Sequence, residues 1–200
     1  MSSQPLPPVA FFTRFRVSDF DLWRTSFESS RPRRQAVGIL GHHIQRGADD
    51  PSLVAIYLPA AAAGPVEAMF ANPEFQAMLK KNGVEGQPTT TVLQPIENEV
   101  IADRGVAGAI ITAEVEEYAA WKKGYDGGAA LRKSHGVIGH AVNRVVGRPG
   151  TVVVYHQGES VQALRDFMGS AEIRAAMKGS GVQGVPEIAF FQGAGAMAMY

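Results

Sequence analysis

A shift of 98 positions lays the second half of this chain over the first without one insertion or deletion. It pairs Val17 with Val115, Gly38 with Gly136, Gly41 with Gly139, and Arg46 with Arg144. The same register continues through Glu74/Glu172, Gly83-Val84/Gly181-Val182 and Pro88/Pro186. A single offset held over that length marks a duplicated unit, so the fold must be built twice from one plan.

Within each copy the periodicity alternates. Residues 9–17 are β-branched and aromatic, as a strand requires, and from Asp19 the apolar positions Phe20, Trp23 and Phe27 fall three and four apart on one helical face. Gly38 stops that helix, and residues 39–46 and 53–59 read as two strands joined by the turn formers Gly47-Ala-Asp-Asp-Pro51. A second helix over 65–81 is interrupted at Asn72-Pro73, an N-cap followed by the residue favoured at the first helical position. Gly83 supplies a left-handed helix end, and residues 89–96 form a fourth strand. The order is βαββαβ. The chain divides into an arm at 1–8, a first repeat at 9–96, a linker at 97–106, a second repeat at 107–194 and a tail at 195–200.

One such unit makes a four-stranded antiparallel sheet with helices on one face only. Both parities of the strands are apolar here (Leu40 and Ile44 against Ile39; Val54 and Ile56 against Leu53 and Ala55), so both faces require cover. The nearest cover for the bare face is the other repeat. The expected fold is therefore α+β, with two ferredoxin-like sheets packed face to face as a pseudo-dimeric barrel with helices outside.

The run Val17-Ser-Asp-Phe-Asp-Leu-Trp23 with Phe27, Arg34, Gly38 and His42 resembles the dimeric α+β barrel superfamily. So do Asn72-Pro-Glu-Phe75, Met78 and Gly83-Val-Glu-Gly86. The closer likeness is to small proteins of the antibiotic-biosynthesis-monooxygenase-like and cyclase-like type, here fused in tandem. The resemblance spans 9–96 and 107–194. It implies this fold but several activities, among them cofactor-free monooxygenases, cyclases, isomerases and haem-degrading enzymes.

The repeat sorts the candidate residues. Arg34 and Arg132 each follow an aromatic by seven positions, within about 20° of the apolar stripe, where a guanidinium needs an acid, carbonyls or an anionic ligand. They are structural clamps or ligand-binding groups. His42 and His140 share parity with aliphatic residues on the second strand, and either satisfy the core or serve as a general acid or base. Trp23 and Trp121 read first as helix-to-sheet core and secondly as pocket lining. Tyr57 and Tyr155 can orient an oxygenated ligand. Present in one copy only are His43, His135, His156, Tyr118, Tyr125 and Asn143, whose counterparts are Ala141, Val37, Leu58, Phe20, Phe27 and Gln45. Such residues mark a specialised site, and most lie in the second repeat. The expected catalytic set is His140, His156, His42, Tyr155 and Tyr125. Arg132, Arg34, Trp121, Trp23, Tyr118, Asn143, Tyr57, His43 and His135 are expected to bind substrate.

Absences narrow the chemistry. The chain has no cysteine, which removes thiolate metal sites and thiol nucleophiles and fits a reducing cytoplasm. His42 and His43 point to opposite faces of one strand and cannot chelate together, so no metal is expected. No cofactor is expected either, with haem and flavin left open. Zero formal net charge and apolar sheet faces argue against nucleic acid. No apolar run spans a membrane. The expected function is a cofactor-independent enzyme acting on a small aromatic or polyketide-like molecule, His and Tyr moving protons while Arg or Asn stabilises an anion. The competing expectation is a non-catalytic small-molecule-binding or regulatory module. The repeats form an intramolecular pseudo-dimer, and the apolar tail could dock on the barrel or on a second copy.

Overall fold

The computed structural model describes residues 5–101 and 107–200. Residues 1–4 of the expected arm and 102–106 of the expected linker lie outside the described residues. The first repeat runs β1 (Val9–Val17), α1 (Phe20–Ser29), α2 (Arg31–Ala36), β2 (Gly41–Gly47), β3 (Leu53–Ala60), α3 (Ala63–Ala71), α4 (Pro73–Lys81) and β4 (Val84–Asn98). The second follows with β5 (Ala107–Val115), α5 (Tyr118–Gly127), α6 (Ala129–Ser134), β6 (Val137–Val145), β7 (Arg148–Gly158), α7 (Val161–Gly169), α8 (Ala171–Gly179) and β8 (Val182–Gly193). A short β9 (Ala198–Met199) ends the chain.

Local chemistry explains these boundaries. Asp19 caps α1 by accepting from the Asp21 and Leu22 amides, and Glu117 does the same for α5. Asn72 accepts from the Glu74 and Phe75 amides with Pro73 behind it, so the second helix splits into α3 and α4 where the Asn-Pro pair indicates. The first helix also splits, at Ser30 and at its counterpart Gly128, a break that the apolar spacing conceals. Gly83 and Gly181 take φ near +82°, the left-handed helix end that favours glycine.

The strands join edge to edge as well as packing face to face. Their order is β3-β1-β4-β6-β7-β5-β8-β2, and β2 returns to β3, which makes a ring of eight antiparallel strands. The two seams between repeats are unequal: β4 pairs with β6 over Leu93–Asn98, whereas β2 meets β8 only over Gln45–Gly47. The fourth strand is therefore longer than the expected 89–96. Its start pairs Val84 with Val17, and its end takes Glu97 and Asn98 out of the expected linker to pair with Val142 and Ala141. Three cores result. One lies under the helices of each repeat, and a third inside the ring joins Ala10, Phe12, Ala55 and Leu93 to Ile110, Val145, Val153 and Phe191. The tail docks on its own barrel, with β9 pairing Ala198 to His42 and Met199 to Gly41.

Candidate functional site

The helix-facing side of each sheet carries a pocket. In the first repeat it encloses about 190 Å³ among Phe15, Trp23, Phe27, Met69, Phe70 and Phe75, with Ser26, Ser30, Arg33, Arg34 and Gln76 supplying polar atoms. For scale, an apolar cavity of roughly 150 Å³ accepts benzene. Arg34 sits at one end because the last turn of α2 brings it back over Phe27, 3.6 Å above the ring. Its Nη1 donates to the Phe27 carbonyl and to Ser30 Oγ (2.8 Å), and its Nε donates to the Tyr200 hydroxyl (2.7 Å). Nη2 has no partner. Burial lowers this guanidinium's pKa, and the Tyr200 hydrogen bond works against that.

His42 lies beside this cluster, outside the cavity lining. Its Nδ1 is 2.8 Å from the Tyr200 hydroxyl and its ring meets Phe27 edge-on at 5.0 Å. Burial pushes its pKa down to about 4, outweighing the Glu28 carboxylate 3.6 Å from Nε2. At neutral pH the Glu28 contact is thus not an ion pair. Tyr200 was invisible to the repeat comparison because it lies beyond the duplicated unit; the only hint was the apolar character of its tail.

The second repeat uses the same frame differently. Its pocket is smaller, about 80 Å³, and Gly124, Gly128 and Leu131 stand where the first has Ser26, Ser30 and Arg33. Into it project Tyr125 and His156, where the first repeat has Phe27 and Leu58. The Tyr125 hydroxyl is 3.1 Å from His156 Nε2, and the two rings stack at 6.0 Å. His156 is buried, its Nδ1 has no hydrogen-bond partner among the described residues, and its pKa falls to about 3 through burial and then the charge of Arg132. Burial raises the Tyr125 phenol. Arg132 repeats the clamp, donating from Nη1 to the Tyr125 carbonyl and lying 3.8 Å over that ring.

His140 holds the place of His42 with other partners. Its Nε2 is 3.0 Å from Glu97 Oε1, and Lys122 Nζ is 2.8 Å from the other Glu97 oxygen. Burial would raise the Glu97 carboxyl, yet hydrogen bonds from Lys122 and His140 outweigh it and hold the group below its ordinary value. Glu99 completes a group of three donor residues with ligand atoms within 4.8 Å. Sequence spacing concealed this grouping, since β4 and β6 meet only in the closed ring. With the Lys122 ammonium already on Glu97, the group reads as an ion-pair network.

Several candidates fall outside both pockets. Tyr57, Tyr155, His43 and Asn143 face the inside of the ring, around a cavity of about 60 Å³. Tyr118 lies under the Arg144 guanidinium, which is 4.5 Å from the ring centre, and its buried hydroxyl has no hydrogen-bond partner among the described residues. It therefore does not add a polar group to the second pocket. His135 Nδ1 lies 3.0 Å from the Leu131 carbonyl at the end of α6, where it serves the helix terminus. Trp23 and Trp121 are buried at helix–sheet contacts and also line their respective pockets.

No family model matches the sequence, and no curated protein matches it. Solved structures do match the fold. An anthrone oxidase-like protein is similar over 95% of this chain and 92% of its own, with TM-score 0.68 and 15% identity. A Listeria monocytogenes ferredoxin-fold protein related to antibiotic-biosynthesis monooxygenases covers 94% of this chain and 95% of its own, with TM-score 0.56 and 11% identity. A heme-degrading enzyme from Listeria monocytogenes covers 92% and 98%, with TM-score 0.53 and 10% identity. The chain thus has the ferredoxin-like, monooxygenase-like fold. No helix among the described residues is long and apolar enough to cross a membrane.

Proposed function

We propose that this protein is a cofactor-independent enzyme that binds a small aromatic or polyketide-like molecule between sheet and helices and moves a proton on it. The observation that carries the reading is the Tyr125–His156 pair, set in the second pocket where the first repeat has Phe27 and Leu58. A phenol hydrogen-bonded to a neutral imidazole can relay a proton to or from an enol or phenol in the transition state. The Arg132 cation over the Tyr125 ring favours negative charge developing on that phenol. Monooxygenase, cyclase and isomerase reactions all share this step, and the neighbours of the fold include anthrone oxidase-like and heme-degrading proteins.

The test is oxygen uptake and product formation by metal-free, flavin-free protein with anthrones and electron-rich phenols, in air and without oxygen. Turnover that falls on Tyr125→Phe supports the reading; no turnover anywhere in the panel, with or without air, sinks it. One observation favours a binding module instead: the larger pocket, in the first repeat, has no His or Tyr in its lining. Saturable ligand binding there without turnover is the outcome that reading expects.

A further inference from the structure

In the larger helix–sheet pocket, that of the first repeat, room and uncompensated charge coincide. Its volume of about 190 Å³ exceeds the roughly 150 Å³ that accepts a benzene ring. Trp23, Phe27, Phe70 and Phe75 wall it, and a ligand ring packs edge-on or offset against such walls. Arg33 and Arg34 also line it, and among the described residues no acidic side chain does. The second repeat has Leu131 in place of Arg33, so the lining of its pocket keeps Arg132 alone of the pair.

Arg34 is a buried cation without a counter-charge. Only 4% of it is exposed. Its Nη1 donates to the Phe27 carbonyl and Ser30 Oγ, and its Nε to the Tyr200 hydroxyl, all of them neutral acceptors. Nη2 is buried and has no hydrogen-bond partner among the described residues. Stacking on the Phe27 ring at 3.6 Å offsets part of the charge but supplies no acceptor. The Glu28 carboxylate acts on the group, yet Arg24 already holds that carboxylate at 2.7 Å. Arg31, 4.6 Å over the Tyr200 ring, adds positive charge on the other side. Desolvation penalises a buried charge unless a counter-ion and a full set of hydrogen bonds answer it. At Arg34 the counter-ion and one acceptor are missing, at one end of a cavity with room for a ring.

We infer that the first pocket is a binding site for a monocyclic aromatic carboxylate, its ring among Trp23, Phe27, Phe70 and Phe75 and its carboxylate on Arg34. Arg33, exposed at the rim, adds attraction for the anion. The inference rests on the proposed function only in placing a ligand between sheet and helices, and it holds for an enzyme and for a binding module alike. A carboxylate suits this end better than a neutral oxygen for two reasons. It brings the missing charge, and its planar pair of oxygens matches the guanidinium fork.

The test titrates benzoate and its neutral isostere benzamide into the full chain at pH 7, followed by the indole N–H signals in NMR. The chain has two tryptophans, Trp23 in the first pocket and Trp121 in the second, so these signals report which pocket fills. Benzoate should shift Trp23 saturably and leave Trp121 unmoved. Benzamide should bind at least about tenfold more weakly, as loss of a charge-assisted hydrogen bond implies. Arg34→Gln should lower benzoate affinity by a similar factor and leave benzamide nearly unchanged. Arg33→Gln, at the exposed rim, should cost roughly two- to threefold. Should Arg34→Gln fail to fold, the contrast between benzoate and benzamide in the unaltered chain still decides. Equal affinity for the two compounds, shifts at Trp121 alone, shifts that never saturate, or a folded Arg34→Gln that binds benzoate undiminished would overturn the proposal. None of these outcomes reads turnover, so overturning it leaves the reaction proposed for the second pocket standing.

Discussion

The two helix–sheet pockets share one frame and have parted in content. The first keeps room: about 190 Å³, walled by aromatics and edged by Ser26, Ser30 and Arg33. The second has about 80 Å³ and keeps the groups that can move a proton, Tyr125 and His156. What stays constant is the arginine clamp, in which Arg34 and Arg132 each tie the end of the helical segment to the carbonyl of the aromatic seven residues earlier. The difference teaches that duplication separated scaffold from specialisation. Arg34 and Arg132, kept in both copies, tie helix to helix end in each repeat, and Tyr125 and His156, found once, change the lining of the second pocket.

The comparison can be broken first at the scaffold. Trp23→Ala and Trp121→Ala should each cost about 3–5 kcal/mol in denaturant unfolding, as large aromatic-to-alanine changes do in cores. A near-neutral result in one repeat only would show that the two frames are not equivalent. The next largest effect is catalytic. Replacing Tyr125 with Phe and His156 with Leu gives the second pocket the first repeat's residues, and turnover should drop roughly 100-fold or more with ligand affinity little changed. If affinity falls and turnover per bound ligand does not, the pair is a binding device.

Acid sharpens the contrast further. His156, His42 and His43 have folded-state pKa values below the ordinary 6.5, near 3, 4 and 4. The unfolded chain therefore binds more protons below pH 6.5, and stability should fall as pH drops from about 6.5 towards 4. Each such group contributes up to about 1.4 kcal/mol per pH unit in that window. His156→Leu should flatten the slope by one group's share; an unchanged slope in urea unfolding between pH 4.5 and 6.5 would remove His156 from the account. The most local effect expected is at the tail. Tyr200→Phe leaves Arg34 Nε and His42 Nδ1 unpaired and should cost about 1–3 kcal/mol. Amide exchange should then quicken at Tyr200, whose N–H donates to the Leu40 carbonyl, and not in the second repeat.

Much of this was legible along the chain. The 98-residue register, the alternating periodicities and the Asn72-Pro73 helix start depend on neighbours close in sequence, so composition and spacing carry them. Parity placed His42 and His140 on one sheet face and His43 on the other, because a strand alternates its faces by geometry alone; which face meets the helices was decided by the fold. The list of unmatched residues also held the Tyr125–His156 pair, but only as separate names. Their 3.1 Å contact joins α5 to β7, and nothing local specifies it.

The tertiary structure alone decided the rest, since it depends on strands from different repeats meeting. Edge-to-edge closure turned two packed sheets into a ring, drew Glu97 out of a supposed linker onto His140, and carried Tyr200 across the molecule to Arg34 and His42. It also set Tyr57, Tyr155, Gln45 and Asn143 around one inner chamber rather than in either helix–sheet pocket. A repeat dictates that two units exist and how each is folded. Which of their faces and edges meet is a matter of long-range packing, and the partners of the polar residues follow from that.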